Sequence, residues 1–430
     1  MIIKKRNPLK GYITVPGDKS ISHRGVMIGA LANGKTEVNH FLLGEDCLAT
    51  ISCFRRLGIN IDIDFQNEKV VIEGKGLDGL KAQNDILNVG NSGTTIRLMS
   101  GILCGQNFSS LITGDSSIQS RPMKRILTPL KQMGADIESL NNNGCAPLSI
   151  NSSKCPSLKG IHYNSPVASA QVKSCLLLAG LYAEGDTLVT EPAISRNHTE
   201  LMLTNFGAEV KSIDNTVSVK PRPSLTGRKI DIPGDISSAA YFIAAALIVP
   251  NSELLIKNVG INPTRAGILK VCQMMGADIK LENIKENGNE LSADLLVRHS
   301  NLKGVNIGGS IIPTLIDEIP IIAVLSCFAK GRTVIRDAQE LKVKESNRID
   351  VIVDNLSRMG ADIEATDDGM IINGGKPLHG ATIDSKMDHR IAMAFAIAGL
   401  MADGDTNILD SECVAISYPG FFKDLINLQN

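Results

Sequence analysis

Tryptophan is absent from this chain, and aromatic residues make up only 3% of it. So few flat rings leave little on which bases could stack, which argues against a single-stranded nucleic-acid partner. Net charge is nearly absent too, at −1 from 44 basic and 45 acidic residues. No overall field draws the chain to nucleic acid or to an anionic membrane, so any anion site has to be a local cluster of cations. The nine cysteines, Cys47, Cys53, Cys104, Cys145, Cys155, Cys175, Cys272, Cys327 and Cys413, form no CxxC pair. An odd, scattered set predicts reduced, mostly buried thiols and a cytoplasmic location. The seven histidines show no HxH or HExxH spacing. Neither a structural zinc nor a zinc-protease site is expected. The longest apolar run, Ala239 to Val249, falls short of the ~20 residues that span a bilayer and reads as a buried helix. The opening segment Met1-Ile2-Ile3-Lys4-Lys5-Arg6-Asn7-Pro8 has charges but no apolar stretch behind them, so it does not read as a signal peptide.

What the chain has is repetition. An amphipathic helix running into a glycine and then a strand recurs as FRRLGINIDI, LKQMGADIES, LTNFGAEVKS, CQMMGADIKL and LSRMGADIEA, with glycines at Gly58, Gly134, Gly207, Gly276 and Gly360. Glycine just past a helix is the usual stop, because it takes positive φ without strain. A second phrase, an Ala/Leu-rich helix, a turn and a β-branched strand, occurs six times, with turns at Gly34, Gly105, Gly185, Asn251, Gly331 and Gly404. Six such units account for the chain. The halves also match each other. Val15-Pro16-Gly17-Asp18 returns as Ile232-Pro233-Gly234-Asp235, and Ala179-Gly180-Leu181 returns as Ala398-Gly399-Leu400. A near-constant offset of about half the length is the mark of a duplication.

The expected class is therefore α/β or α+β, with two pseudo-symmetric domains of three units each. The turn-rich stretch Pro221 to Gly227 suggests the junction. That places residues 15–226 in one domain and 227–430 with 1–14 in the other, the opening strand joining the second. The all-round apolar helices suit burial inside each domain, with sheets outside.

Chemistry is sought where matched positions have diverged. Ser169-Ala170-Gln171 corresponds to Asp388-His389-Arg390, Arg121 to Arg125 corresponds roughly to Lys344 to Arg348, and Gly17-Asp18-Lys19-Ser20 corresponds to Gly234-Asp235-Ile236-Ser237. These loops are expected to face an interdomain cleft, a common place for small-molecule sites. They gather Lys19, Arg24, Arg97, Arg121, Arg196, Lys344, Arg348 and Arg390 in a nearly neutral protein. Asn91 to Thr95, with Gly93 at its mouth, reads as a helix N-terminus that offers N–H groups to an oxyanion. The set fits ligands with several phosphate or carboxylate groups. Two acids, Asp317 and Glu345, stand among these cations and could give and take protons.

The motifs PGDKSISHR, GNSGTTIR, SRPMKR, SAQVKS, RNHTE, NPTR, LIDEIP, LKVKESNR and MDHRIAMAF, from Pro16 to Phe395, resemble in kind and order those of the 5-enolpyruvylshikimate-3-phosphate synthase family. GDKS, SAQVK, RNHTE and NPTR resemble its class II branch, associated with glyphosate tolerance. The resemblance implies the enolpyruvyl transferase fold, with three βαβαββ units and buried helices in each domain. It implies a transferase of the shikimate pathway of chorismate and aromatic amino acid biosynthesis. Such an enzyme joins phosphoenolpyruvate to shikimate 3-phosphate with no metal or organic cofactor.

Carried over by motif, the resemblance implies that Lys19, Ser20, Arg24, Ser169, Ala170, Gln171, Arg196, Asp317 and Lys344 hold shikimate 3-phosphate. It implies that Lys19, Gly93, Arg121, Gln171, Arg348 and Arg390 hold phosphoenolpyruvate. Lys19, Asp317 and Glu345 would be catalytic, and His389 a further site residue. The expected partners are these two small molecules, with no nucleic acid or membrane, and a monomer is expected. The C-terminal segment Ala415-Ile416-Ser417-Tyr418-Pro419-Gly420-Phe421 lacks the lysine that many members carry before the aromatic-Pro-x-Phe pattern. Gly93 stands where tolerant enzymes often have alanine. Two alternatives remain open. One is the sister transferase acting on UDP-N-acetylglucosamine, whose reactive cysteine has no counterpart in Asp115 to Arg121. The other is a non-catalytic anion-binding repeat protein.

Overall fold

The computed structural model describes residues 1–5, 8–82, 85–152 and 157–428; Cys155 lies outside them. The chain divides into two compact units. Gly17–Ile232 with Asn287–Glu290 form the N-terminal unit, and Met1–Pro16, Pro233–Glu286 and Leu291–Asn430 form the C-terminal one.

Each unit carries three small sheets. In the second sheet of the N-terminal unit, Leu87–Asn88 runs parallel to Ser109–Thr113, which pairs antiparallel with Leu148–Asn151, itself flanked by Ile137–Ser139. Helices Gly93–Cys104 and Lys124–Gln132 connect these strands, giving the order βαβαββ. The third sheet repeats it with His162–Asn164, Thr187–Thr190, Thr216–Val219 and Val210–Ile213. In the C-terminal unit, Asn306–Ile307, Gly331–Ile335, Met370–Gly374 and Asp362–Ala365 have the same arrangement. Six sheets thus match the six units counted along the chain.

Two strands leave the repeat that they precede. Lys10–Thr14 comes just before the helix Lys19–Leu31 but pairs in parallel with Glu253–Gly260. Lys229–Asp231 comes just before the helix Ile236–Ile248 but pairs in parallel with Asn33–Asn39. Residues 229–231 therefore belong to the N-terminal unit. In the last sheet Ile2–Ile3 runs antiparallel to Thr406–Ile408.

In each unit the apolar helices lie inside the sheets, as their composition requires. All thirteen residues of Ile236–Ile248 are buried, and so are nearly all of Ile319–Phe328 and His389–Gly399. Lys19–Leu31, Gly93–Cys104 and Ala170–Gly180 fill the N-terminal unit in the same way. A helix that is hydrophobic all round can be stable only when covered on every side. The glycines of the repeated helix stop, Gly58, Gly134, Gly207, Gly276 and Gly360, all have φ between 84° and 104°. That is the left-handed region in which glycine ends a helix without strain. No helix among the described residues is long and apolar enough to cross a membrane. Seven of the eight described cysteines are buried and none is bridged. Burial pushes the Cys53, Cys175, Cys272 and Cys327 thiols up to about 12, which makes them unreactive.

Candidate active site

In the C-terminal unit the expected residues form one ion cluster. Asp317 lies just ahead of the buried helix Ile319–Phe328, and Arg348 opens the helix Arg348–Arg358. Arg390 sits in the first turn of His389–Gly399, a helix capped by Asp388, whose Oδ1 accepts the Arg390 N–H at 3.0 Å. The Asp317 carboxylate is ringed by three cations. Lys344 Nζ is 3.5 Å and Arg348 Nη1 3.4 Å from Oδ1, and Arg390 Nη2 is 3.7 Å from Oδ2. Glu345 Oε2 accepts from Arg348 Nη2 at 2.5 Å.

The Arg348 side chain is fully buried, and its Nε donates to Asp388 Oδ2 at 2.8 Å. Burial works against its charge, but Asp388 and Glu345 more than offset this and raise its pKa above the ordinary value. For Arg390, burial is likewise outweighed by Asp317, and the pKa is raised. These guanidiniums are permanent charges. His389 is buried at the start of its helix.

In the N-terminal unit, Lys19 and Ser20 open the helix Lys19–Leu31, where Asp18 Oδ1 accepts the Ile21 N–H at 2.9 Å. Lys19 Nζ is ion-paired with the carboxylate of Asp46. Arg24, one turn on, is buried and donates to Thr199 Oγ1 at 2.6 Å, to the Ser20 carbonyl at 2.9 Å and to Ser174 Oγ at 2.9 Å. Burial pushes its pKa down to about 10, with Glu200 and Asp18 opposing and Arg196 assisting, so it stays charged at neutral pH. Gly93 opens the helix Gly93–Cys104, where Ser92 Oγ accepts the Thr95 N–H at 3.1 Å.

Arg97 and Arg121 flank that helix mouth. Arg121 Nη2 donates to Asn91 Oδ1 at 2.8 Å and to Ser117 Oγ at 2.9 Å. Arg97 Nη1 donates to Gln171 Oε1 at 2.8 Å, and Gln171 Nε2 donates to Thr94 Oγ1 at 3.2 Å. The amide of Gln171 is thereby fixed in one orientation. Ser169 stands at the N-cap position of Ala170–Gly180 without a side-chain capping bond, and Arg196 precedes His198–Phe206. The helix mouth, two guanidiniums and Gln171 make a surface suited to an oxyanion.

Sequence reasoning did not single out the carboxylates that hold these cations in place, Asp46 beside Lys19 and Asp388 beside Arg348. Asp388 had a usable signal. It matches Ser169 in the other half, and both stand at the start of a buried helix.

A mixed α/β scaffold of repeated sheets, with anion-binding helix mouths in one unit and carboxylates among guanidiniums in the other, is the outline of a group-transfer enzyme for small anions. The chain belongs to the EPSP synthase (3-phosphoshikimate 1-carboxyvinyltransferase) family, whose model matches residues 3–425. It is 57% identical over 421 residues to the 3-phosphoshikimate 1-carboxyvinyltransferase of Thermoanaerobacter sp. (strain X514), covering 98% of each chain. It is 54% identical to the Bacillus cytotoxicus protein of the same name, covering 99% of each. Among solved structures, EPSP synthase from Acinetobacter baumannii matches with TM-score 0.89 at 46% identity, covering 100% of this chain and 97% of that one. The enolpyruvyl transferase NikO from Streptomyces tendae matches with TM-score 0.80 at 17% identity, covering 99% and 96%, and shares the fold.

Proposed function

We propose that the protein transfers the enolpyruvyl group of phosphoenolpyruvate to the 5-hydroxyl of shikimate 3-phosphate, releasing phosphate. The observation that carries this reading is Asp317, a carboxylate held among Lys344, Arg348 and Arg390 with Glu345 on the same arginine. A protein that only bound anions would gain nothing from two acids in that position.

Lys19, Ser20, Arg24, Ser169, Ala170, Gln171 and Arg196 hold shikimate 3-phosphate, together with Asp317 and Lys344. Gly93, Arg121, Gln171, Arg348 and Arg390, with Lys19, hold phosphoenolpyruvate. Asp317 takes the proton of the 5-hydroxyl as its oxygen bonds to C2 of phosphoenolpyruvate. Glu345 gives a proton to C3, and a tetrahedral intermediate results. Glu345 then takes a proton back from the C3 methyl, the C2–O bond to phosphate breaks, the departing phosphate carries off the proton that Asp317 had received, and the enol ether forms. The guanidiniums and Lys19 oppose the repulsion between two anions and stabilise the charge that builds on the departing phosphate. The enzyme acts in the cytoplasm as a monomer.

The test is to supply phosphoenolpyruvate with shikimate 3-phosphate and, separately, with UDP-N-acetylglucosamine. Equal amounts of phosphate and enol ether from the first pair alone support the reading. Turnover of the nucleotide sugar, or none with either acceptor, refutes it.

A further inference from the structure

The N-terminal unit contains a buried ion cluster that the proposed chemistry does not use. Lys173 lies on the helix Ala170–Gly180 and is 2% exposed. Its ammonium is 2.9 Å from Glu191 Oε2 and 2.8 Å from Glu200 Oε1, and it donates to the Ser195 carbonyl at 3.2 Å. Burial works to lower the pKa of Lys173, and Glu200 and Glu191 outweigh it, so the net shift is upward and the lysine is charged.

The two oxygens of Glu191 reach in different directions. Oε1 accepts the Ser169 N–H at 2.8 Å. Oε2 accepts the Ser195 hydroxyl at 2.8 Å and the Ser195 N–H at 3.4 Å. One carboxylate thus ties two segments that are distant in the chain. Ser169 opens the run Ser169-Ala170-Gln171, and Ser195 immediately precedes Arg196. Both segments lie outside the sheets, at helix starts: Ser169 stands at the N-cap position of Ala170–Gly180, and Ser195 and Arg196 lead into His198–Phe206.

We propose that Glu191, ion-paired with Lys173, is a positioning residue that sets the binding geometry of shikimate 3-phosphate by locking these two segments together. This inference rests on the function proposed above. Hydrogen bonds to a charged acceptor are shorter and roughly twice as strong as neutral ones, so a carboxylate is the group to fix two loops at once. A bare carboxylate so near an anion site would repel the ligand. Lys173, shared with Glu200, offsets part of that charge while adding its own bond to the Ser195 carbonyl. The gain is preorganisation, since a ligand-bearing segment misplaced by about 1 Å can cost two orders of magnitude in rate.

The test is Glu191→Gln in the full chain. KM is measured for each substrate, with kcat, and shikimate 3-phosphate binding is measured by calorimetry without phosphoenolpyruvate. The KM and the dissociation constant for shikimate 3-phosphate should rise about 10-fold or more, the range for losing a charged hydrogen bond. The KM for phosphoenolpyruvate should rise much less, because Gln171 alone of these residues is assigned to it, and Arg97 and Thr94 hold Gln171 independently. Equal rises in both KM values, a change in kcat alone, or unchanged affinity for shikimate 3-phosphate would overturn the proposal. If Glu191→Gln does not fold, Ser195→Ala decides. It removes one of the bonds and should raise the shikimate 3-phosphate KM several-fold without moving the other, and no such selectivity overturns the proposal. A wild type that fails to release phosphate refutes the proposed function instead, while the calorimetric comparison still tests Glu191.

Discussion

Arg348 and Asp388 form a buried ion pair in which the guanidinium meets both carboxylate oxygens, Nε to Oδ2 at 2.8 Å and Nη2 to Oδ1 at 3.3 Å. The same aspartate caps the helix that carries Arg390. One residue therefore holds two of the three arginines assigned to phosphoenolpyruvate.

Asp388→Asn separates these roles, because asparagine is as good a helix cap but carries no charge. The variant should lose about 3 kcal/mol of stability, the low end of the cost of breaking a buried pair. Its KM for phosphoenolpyruvate should rise more than its KM for shikimate 3-phosphate. Urea unfolding and initial rates check both, and unchanged stability would show that the pair contributes little.

Glu345→Gln should cut kcat by ~10²–10⁴, the usual loss of a general acid–base group. The fold should survive, because Arg348 keeps Asp388 and Asp317. Asp317→Asn should lower kcat in the same range, and it should also destabilise, since three cations lose their shared anion. A near-normal kcat in either purified variant would remove that residue from the mechanism.

Gly93→Ala bears on glyphosate, the analogue that occupies the phosphoenolpyruvate site in this family. An added Cβ would lie 2.9 Å from Arg97 Nη1 and 3.2 Å from Arg121 Nη1. Both are ends of flexible side chains and can shift. The methyl group narrows the helix mouth, and the longer ligand should lose more than the substrate. The ratio of inhibition constant to KM should rise in the variant. A ratio that stays level or falls would mean that Gly93 does not set the response.

His23 predicts a pH effect on stability. It is fully buried against Thr50, with Nδ1 2.7 Å from Thr50 Oγ1. Burial first, then Lys19 and Arg24, hold its pKa well below 6.5. Below pH 6.5 the unfolded chain binds a proton here that the folded one refuses, so stability falls as pH falls. Melting temperature should drop between pH 7 and 5.5 more steeply in the wild type than in His23→Gln. Parallel curves would assign the drop to other groups.

Much of the architecture was legible along the chain, for physical reasons that particular residues illustrate. Gly58, Gly134, Gly207, Gly276 and Gly360 mark helix ends because their backbone geometry is demanded locally. The strand Lys229–Asp231 was not legible as part of the N-terminal unit. Three residues carry no pattern, and their place is fixed by pairing with Glu37 to Asn39. The cations were legible because they stand at matched, diverged positions. Asp317 and Glu345 were legible with them, but other carboxylates were not. Asp46 pairs with Lys19, and Glu191 with Ser169 and Lys173, across stretches of chain that only tertiary packing closes. Neither acid lies in a diverged motif.

In the proposed addition and elimination, Glu345 moves a proton to and from C3. Running the reaction in deuterium oxide tests it most directly. A solvent deuteron added at C3 enters a methyl group, and elimination can then remove any of its three hydrogens. Deuterium should appear in the vinyl group of the product, at a rate that collapses in Glu345→Gln. An enol ether formed at full rate with no deuterium at C3 would contradict it.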